Sequence, residues 1–462
     1  MNGLVAADRT PHPALYALKY FQQYASVEPV DWERGVFRIL NRFDFLMLNE
    51  KLAGRWELIE DGVPVMGGML PDLNIAPWES KEVALPLQGF RFRDGREYHV
   101  TFSFVNRKAT FYAGEGYEMG WEQFRVPASA WPMPGEPREA GLLQVGINDN
   151  HFAVAGRGFH IVFDLVQGLM ESYHVDGAKV VSRGPQIDFW RALTDNDRAV
   201  VRSADAEEYW VPPTEKDLEA MQAAREFEFM RWRGAHYALV DRVLINGDEH
   251  DGSTLNRAPL MEHVTVRFEL NLPAVDAKAT VLYEIYQDGA VDVTTEYTPG
   301  PAGSVPGYVP RFGNRMKLAP GFDNITWYGR GPHPTYADRN VERIGIFHST
   351  VAQEWVDYSR PQENGNKMDV RWVTMTNGDG AGLKFTGTPL VNFSAAHFSR
   401  EEMESSRYTF EMEPLKSVFL NIDLRQMGVG GYNSWTARAL PEKDFRIRNE
   451  PMTYTYRMEP VR

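Results

Sequence analysis

Hydrophobic and polar residues alternate with a period of two through much of this chain. Val264, Val266, Phe268 and Leu270 are separated by Thr265, Arg267 and Glu269, and Tyr98, Val100, Phe102 and Phe104 by His99, Thr101 and Ser103. That period predicts strands with one buried face. Shorter apolar runs predict further strands at 36–40, 43–48, 279–286 and 291–297. Asp61-Gly62 and Asp288-Gly289 predict hairpin turns. Helical spacing is rarer. Ala14, Leu15, Leu18 and Phe21 form one apolar stripe, with Thr10 or His12 placed to cap it and Pro11 and Pro13 in a first turn that tolerates proline. A second helix is predicted over 214–225, where Thr214 and Asp217 have capping-box spacing. The first helix is too short to be a domain and must pack against something else.

Turn residues divide the chain. Trp131-Pro132-Met133-Pro134-Gly135-Glu136-Pro137 holds three prolines in seven residues and resists both helix and sheet. A boundary is placed here, leaving a small β-sandwich of about a hundred residues from about residue 34, a Pro-rich linker over 131–149 and a large sandwich of long antiparallel strands over 150–462. Residues 298–311, rich in Pro and Gly, read as a loop. No repeat of solenoid or propeller period is present. The expected class is all-β, and 462 residues suit two to four domains.

Composition removes several functions. With 49 basic against 63 acidic residues the net charge is −14, without a basic stripe, so no nucleic-acid partner is expected. No run of about 18 apolar residues exists that could cross a membrane. The absence of cysteine excludes disulfide scaffolds, zinc-cysteine sites and thiol nucleophiles. Together with a first segment lacking a basic start and long apolar core, it leads to an expected cytoplasmic location. Aromatic residues reach 13%, including 12 Trp and 20 Tyr. Such rings suit both sandwich cores and sugar platforms.

Motif searches mostly fail. There is no P-loop, no nucleophile elbow and no H-E-x-x-H, and Met427-Gly428-Val429-Gly430-Gly431 does not follow a βαβ pattern. The eleven histidines are scattered, the nearest in sequence being His151 and His160. Asp195-Asn196-Asp197 and Glu363 are candidate carboxylates for glycoside chemistry, which needs a pair, or else turn caps and structural ion pairs. In Gly430-Gly431-Tyr432-Asn433-Ser434-Trp435 two glycines permit a sharp turn. Trp435 after them either stacks on a sugar or packs into the core.

These residues carry a resemblance. Met1 to Val5 with Ala7-Asp8-Arg9-Thr10-Pro11-His12-Pro13 is similar to the end of the catalytic barrel in the large bacterial β-galactosidases of glycoside hydrolase family 2. Gly120-Trp121-Glu122-Gln123-Phe124 resembles the end of the sandwich after that barrel. Trp190 to Asp197, Trp327 to Pro332 with Tyr336 and Asp338-Arg339, Pro361 to Gly365, and Leu420 to Asp423 followed by Met427 to Gly431 and Ser434-Trp435 resemble the last domain, in order from end to end. The resemblance implies a barrel tail over 1–25, an immunoglobulin-like β-sandwich over 26–130 and a galactose-mutarotase-like supersandwich over 150–462.

It also implies that both catalytic glutamates lie on a barrel absent from this chain, so no catalytic residue is assigned here. Trp435 matches a tryptophan that stacks on substrate. Asn2 matches a sodium ligand of an otherwise incomplete site, with sodium and magnesium cofactors of the complete enzyme and none for this chain alone. The segment after Asp197 matches a mobile loop, with Ala199 where relatives have glycine. The expected function is a C-terminal subunit or fragment of a β-galactosidase acting in lactose breakdown. Its partners would be a barrel-bearing chain, a β-galactoside and further copies in an oligomer. Exposed apolar barrel-facing surface should make the lone chain prone to associate. A stand-alone galactoside-binding module is the main alternative, and aldose epimerisation a third.

Overall fold

In a computed structural model, residues 3–462 are described apart from 128, 132, 149, 205–213 and 251–259. The alternating residues of the first part build two small sheets. β1 (Ala25–Asp31), β2 (Val36–Asn41) and β5 (Ser80–Ala84) form one, in the order β1-β2-β5. β3 (Leu52–Glu60), β4 (Val63–Met69), β6 (Tyr98–Asn106) and β7 (Glu118–Arg125) form the other, in the order β4-β3-β6-β7. Phe37, Ile39, Trp56, Leu58, Val100, Phe102 and Phe104 fill the space between the sheets. Asp61 and Gly62 both take positive φ, which is how a two-residue turn matches strand twist, and they join β3 to β4.

The strand expected over 43–48 is not formed. The buried Asn41 side chain donates to the Leu46 and Ile75 carbonyls at 2.8 and 2.9 Å and accepts from the Phe43 amide at 2.9 Å. These local bonds compete successfully with a sheet ladder and bend the chain. Phe45 faces solvent, and the short helix Leu48–Lys51 follows.

From Leu143–Ile147 to Met452–Val461 the antiparallel strands join into one closed sheet. Val264–Leu272 pairs along its whole length with Ala277–Ile285, which pairs in turn with Val291–Thr298. Gly289, at φ 91°, closes that hairpin, as the Asp-Gly pair predicted. Every second residue of these strands is buried in a core that includes Phe163, Phe189, Trp232, Phe268, Tyr283, Phe312 and Tyr456. The helix Glu215–Phe227 begins at the predicted box: Thr214 accepts from the Asp217 amide, and Asp217 accepts from the Thr214 amide.

α1 (Pro13–Phe21) starts after His12, whose ring does not cap it but bonds the Gly3 carbonyl at 2.8 Å. α1 finds a partner within the chain. Tyr20 donates to Glu122 at 2.7 Å, Gln23 bonds Glu122 and the Trp121 amide at 2.8 Å each, and Tyr16 stacks on His333 at 3.5 Å. The helix thus touches β7 of the small sandwich and the large sheet domain together. Phe21 stays 60% exposed.

Candidate functional site

The segments of the large domain that carry the resemblance meet on one side of α1. The strand Ala178–Asp188 delivers Arg191, which is fully buried. Its guanidinium donates to both Asp197 oxygens at 3.0 and 2.9 Å and to the Met427 and Gly428 carbonyls at 2.9 Å each. Asp197 also accepts from the Thr194 amide, and Thr194 from the Asp197 amide, a reciprocal cap that starts the helix Asp195–Ala204. One residue earlier, Asn196 donates to the Asn433 and Ala439 carbonyls at 3.2 and 3.0 Å. Asp338 receives the Val429 and Gly430 amides at 3.1 and 2.6 Å. Three polar side chains from two separate segments, Arg191 and Asn196 from one and Asp338 from the other, therefore hold the loop that carries Trp435.

The glycines of that loop are needed for close approach and not for an unusual turn. Gly428, Gly430 and Gly431 lie outside the positive-φ residues. A Cβ on Gly428 would sit 2.5 Å from the Asp338 carboxylate, and one on Gly431 2.3 Å from the Ala439 carbonyl. The loop then turns on Asn433, whose Oδ1 accepts from the Trp435 and Thr436 amides at 3.1 and 3.0 Å. Trp435 ends 71% exposed. Of the two readings open for it, core packing is excluded. The Asn-Ser-Trp-Thr order, with an Asn that can bond its own backbone two residues on, was the signal that this loop is pre-shaped. Asn196, Asp338 and Asn433 are the positioning residues that sequence reasoning passed over.

Below the loop lies a cleft of about 550 Å³. Its walls are Gly3, Leu4, His12 and α1 on one side, and Asp195, Asn196, Tyr336, Asp338, Glu363 and Gly430 on the other. Trp435 is not part of these walls. Of the candidate carboxylates, Asp195 and Glu363 reach this cleft, and both are engaged, while Asp197 is buried on Arg191. Glu363 meets the Arg311 guanidinium at 3.1 Å and the Tyr336 hydroxyl at 3.4 Å. Asp195 faces Arg198 at 3.5 Å and Gln362 at 3.4 Å. Tyr336 is buried and beside Glu363, so its hydroxyl is held well above its ordinary pKa and stays protonated.

Asn2, the expected sodium ligand, lies outside the described residues. Among the described residues no three His, Asp or Glu side chains converge as metal ligands would. Among the described residues, therefore, no carboxylate-rich oxygen set of the kind calcium or magnesium takes is present. Ala199 is buried in the helix Asp195–Ala204, so that stretch of the expected loop is helical.

Residues 155–458 match the model of the β-galactosidase small chain, and residues 37–127 that of β-galactosidase domain 4. A β-galactosidase of Priestia megaterium is 30% identical over the whole of this chain and 41% of its own length. Others from Bifidobacterium adolescentis and Streptococcus thermophilus are 29% and 27% identical over 94% of this chain and 38% of theirs. This chain therefore spans about 40% of the length of these relatives. Among solved structures, a galactose 1-epimerase from Lactobacillus acidophilus aligns with 67% of this chain and 94% of its own, at 8% identity and a TM-score of 0.33. The arrangement of 190–197, 338, 363 and 427–435 around one cleft is thus built within the matched region, and the chain belongs to the β-galactosidase small-chain family.

Proposed function

We propose that this chain is the C-terminal, barrel-free part of a retaining β-galactosidase and completes the galactoside pocket of the assembled enzyme. The observation that carries the reading is the Trp435 loop. The backbone of the loop that carries this exposed indole is held by Asn196, Asp338 and Asn433, beside a cleft whose carboxylates are engaged by Arg311 and Arg198. An indole face pre-positioned in solvent suits the C–H face of a pyranose. A retaining hydrolase needs two carboxyl groups about 5–5.5 Å apart, one as nucleophile and one as acid and base. In this reading both come from the barrel, and this chain binds and orients the sugar.

The partner is a barrel-bearing polypeptide, the substrate class is terminal β-D-galactosides such as lactose, and the assembly is an oligomer in the cytoplasm. Sodium and magnesium belong to the complete enzyme, with the Asn2 side chain supplying one oxygen to sodium. The half-exposed α1 and the cleft it lines fit a surface that a barrel covers. No helix of the described residues is long and apolar enough to cross a membrane.

The experiment is complementation. Alone, the purified chain turns over no chromogenic galactoside; with a barrel-bearing partner, activity appears. In that assembly Trp435→Ala raises KM by about tenfold or more, the loss expected when a stacking ring is truncated. Turnover by the lone chain, or an unchanged KM in Trp435→Ala, overturns the reading. The exposed, pre-shaped Trp435 loop also suits a stand-alone binding module, and calorimetry with lactose separates the two: micromolar binding by the lone chain favours the module.

A further inference from the structure

A second cavity, of about 320 Å³, backs onto the first. Four guanidinium groups face it, from Arg198, Arg202, Arg233 and Arg360, around a floor that includes Trp190 and Glu404. Among the described residues the local charge does not cancel. Glu404 is taken up by Arg233 at 3.0 Å and by the Trp190 indole N–H. Arg198 is only 10% exposed; its guanidinium donates to the Pro361 carbonyl at 3.0 Å and reaches Asp195 at 3.5 Å. Among the described residues, neither Arg202 nor Arg360 has an ion-pair partner. Burial, and after it the like charge of Arg360, presses Arg198 below its ordinary pKa. Holding like charges together this way costs free energy that a bound anion would return.

The geometry points to a binding site for a small tetrahedral dianion, phosphate or sulfate, free or as an ester on a small molecule. Planar guanidinium forks suit such oxyanions, because each can present two parallel N–H groups to two oxygens. The cavity has room for the anion and a modest organic group. Its wall is shared with the candidate galactoside cleft. The helix Asp195–Ala204 turns Asp195 and Asn196 to the cleft and Arg198 and Arg202 to this cavity, and the segment 360–363 gives Arg360 here and Gln362 and Glu363 there. An occupant of one side therefore braces the element from which Asn196 holds the Trp435 loop. Binding itself does not depend on the β-galactosidase reading and can be measured on the chain alone.

Equilibrium dialysis of the whole chain with radiolabelled inorganic phosphate, at constant ionic strength set with chloride, is the direct test. Saturable binding near one phosphate per chain is expected, with sulfate competing and acetate not. Arg202→Ala/Arg360→Ala, two exposed positions outside the fold's core, should weaken it by about tenfold or more, since one charge-assisted contact is worth roughly a factor of ten. A hexose monophosphate that binds tighter than phosphate identifies an esterified ligand; equal affinity identifies the free anion. Linear, non-saturating uptake, or the same affinity in the double variant, overturns the site.

Discussion

Two buried ionic clusters in this molecule are built from the same residue types and behave in opposite ways. The first joins the sandwiches. Glu97 is fully buried; it accepts from Arg371 at 2.7 and 2.5 Å, from the Tyr328 hydroxyl at 2.8 Å and from Arg125 at 3.2 Å. The second lies beneath the candidate cleft. There Arg311 faces Asp423 and Glu363 at 3.1 Å each, with Asp188 close by on Arg400 at 2.6 Å. Burial alone would raise the Glu97 carboxyl, but Arg371 and the hydroxyl of Tyr328 hold it below its ordinary value. Asp423 goes the other way. Burial pushes it up to about 8 against the pull of Arg311, and neither of its oxygens has a well-aligned donor among the described residues. The difference lies in counting donors: a buried carboxylate with four is a rivet, while one of two carboxylates sharing a single guanidinium, with a third close by, keeps its proton.

The largest test breaks the rivet. Arg371→Ala leaves Glu97 charged and buried without its main partner, and should cost about 3–5 kcal/mol. Because Glu97 and Arg125 sit on the small sandwich side and Tyr328 and Arg371 on the large one, denaturant unfolding should change from one transition to two. A single transition of unaltered midpoint would mean that the joint contributes nothing.

Acid is the next probe. His99 is buried 3.8 Å from Glu97, and burial drives its pKa down to about 4 from an ordinary 6.5. The unfolded chain takes up this proton near pH 6.5 and the folded chain only near 4. Stability is therefore whole above pH 6.5 and falls as the pH drops towards 4, by on the order of 3 kcal/mol. The lowered pKa of Glu97 acts with the same sign. Thermal melts of His99→Gln between pH 7 and 4 should lose most of this slope; a slope equal to wild type would place the acid-sensitive group elsewhere.

These clusters also mark where sequence reading stops. The alternation at 98–104 and 264–270, the Asp-Gly turns and the Thr214 cap are local, so their physics is written in neighbouring residues. The expected strand at 43–48 failed through an equally local cause, the Asn41 side chain, although one of the carbonyls it bonds comes from Ile75, in the loop between β4 and β5. Glu97 and Arg371 are 274 positions apart, and no periodicity connects them. The Trp435 loop lies between these cases. Its Asn433 turn is readable, whereas the reason for its glycines depends on Asp338 and Ala439 approaching from outside. The sequence offered Asp195, Asp197 and Glu363 as candidate carboxylates for catalysis. What it could not show is that those reaching the cleft are engaged by arginines.

The smallest effect near pH 4 is also the sharpest contrast. Asp423→Asn replaces a carboxyl that is protonated at that pH with a neutral group of nearly equal shape, so stability should stay within about 1 kcal/mol of wild type there. Its folded pKa of about 8 lies above its ordinary 3.8, so in the wild type the folded chain holds a proton that the unfolded chain has lost. Wild-type stability from this group is thus complete below pH 3.8 and falls as the pH rises towards 8. The asparagine variant escapes that loss and should gain on wild type steadily over the same range. Glu97→Gln should do the reverse: the glutamine cannot satisfy Arg371, and the deficit should widen with pH because only the ionised Glu97 draws on that guanidinium. Denaturant titrations of both variants at pH 4, 6 and 8 decide the matter. If Asp423→Asn is instead destabilised increasingly with pH, Asp423 is ionised in the folded protein, and the two clusters are alike after all.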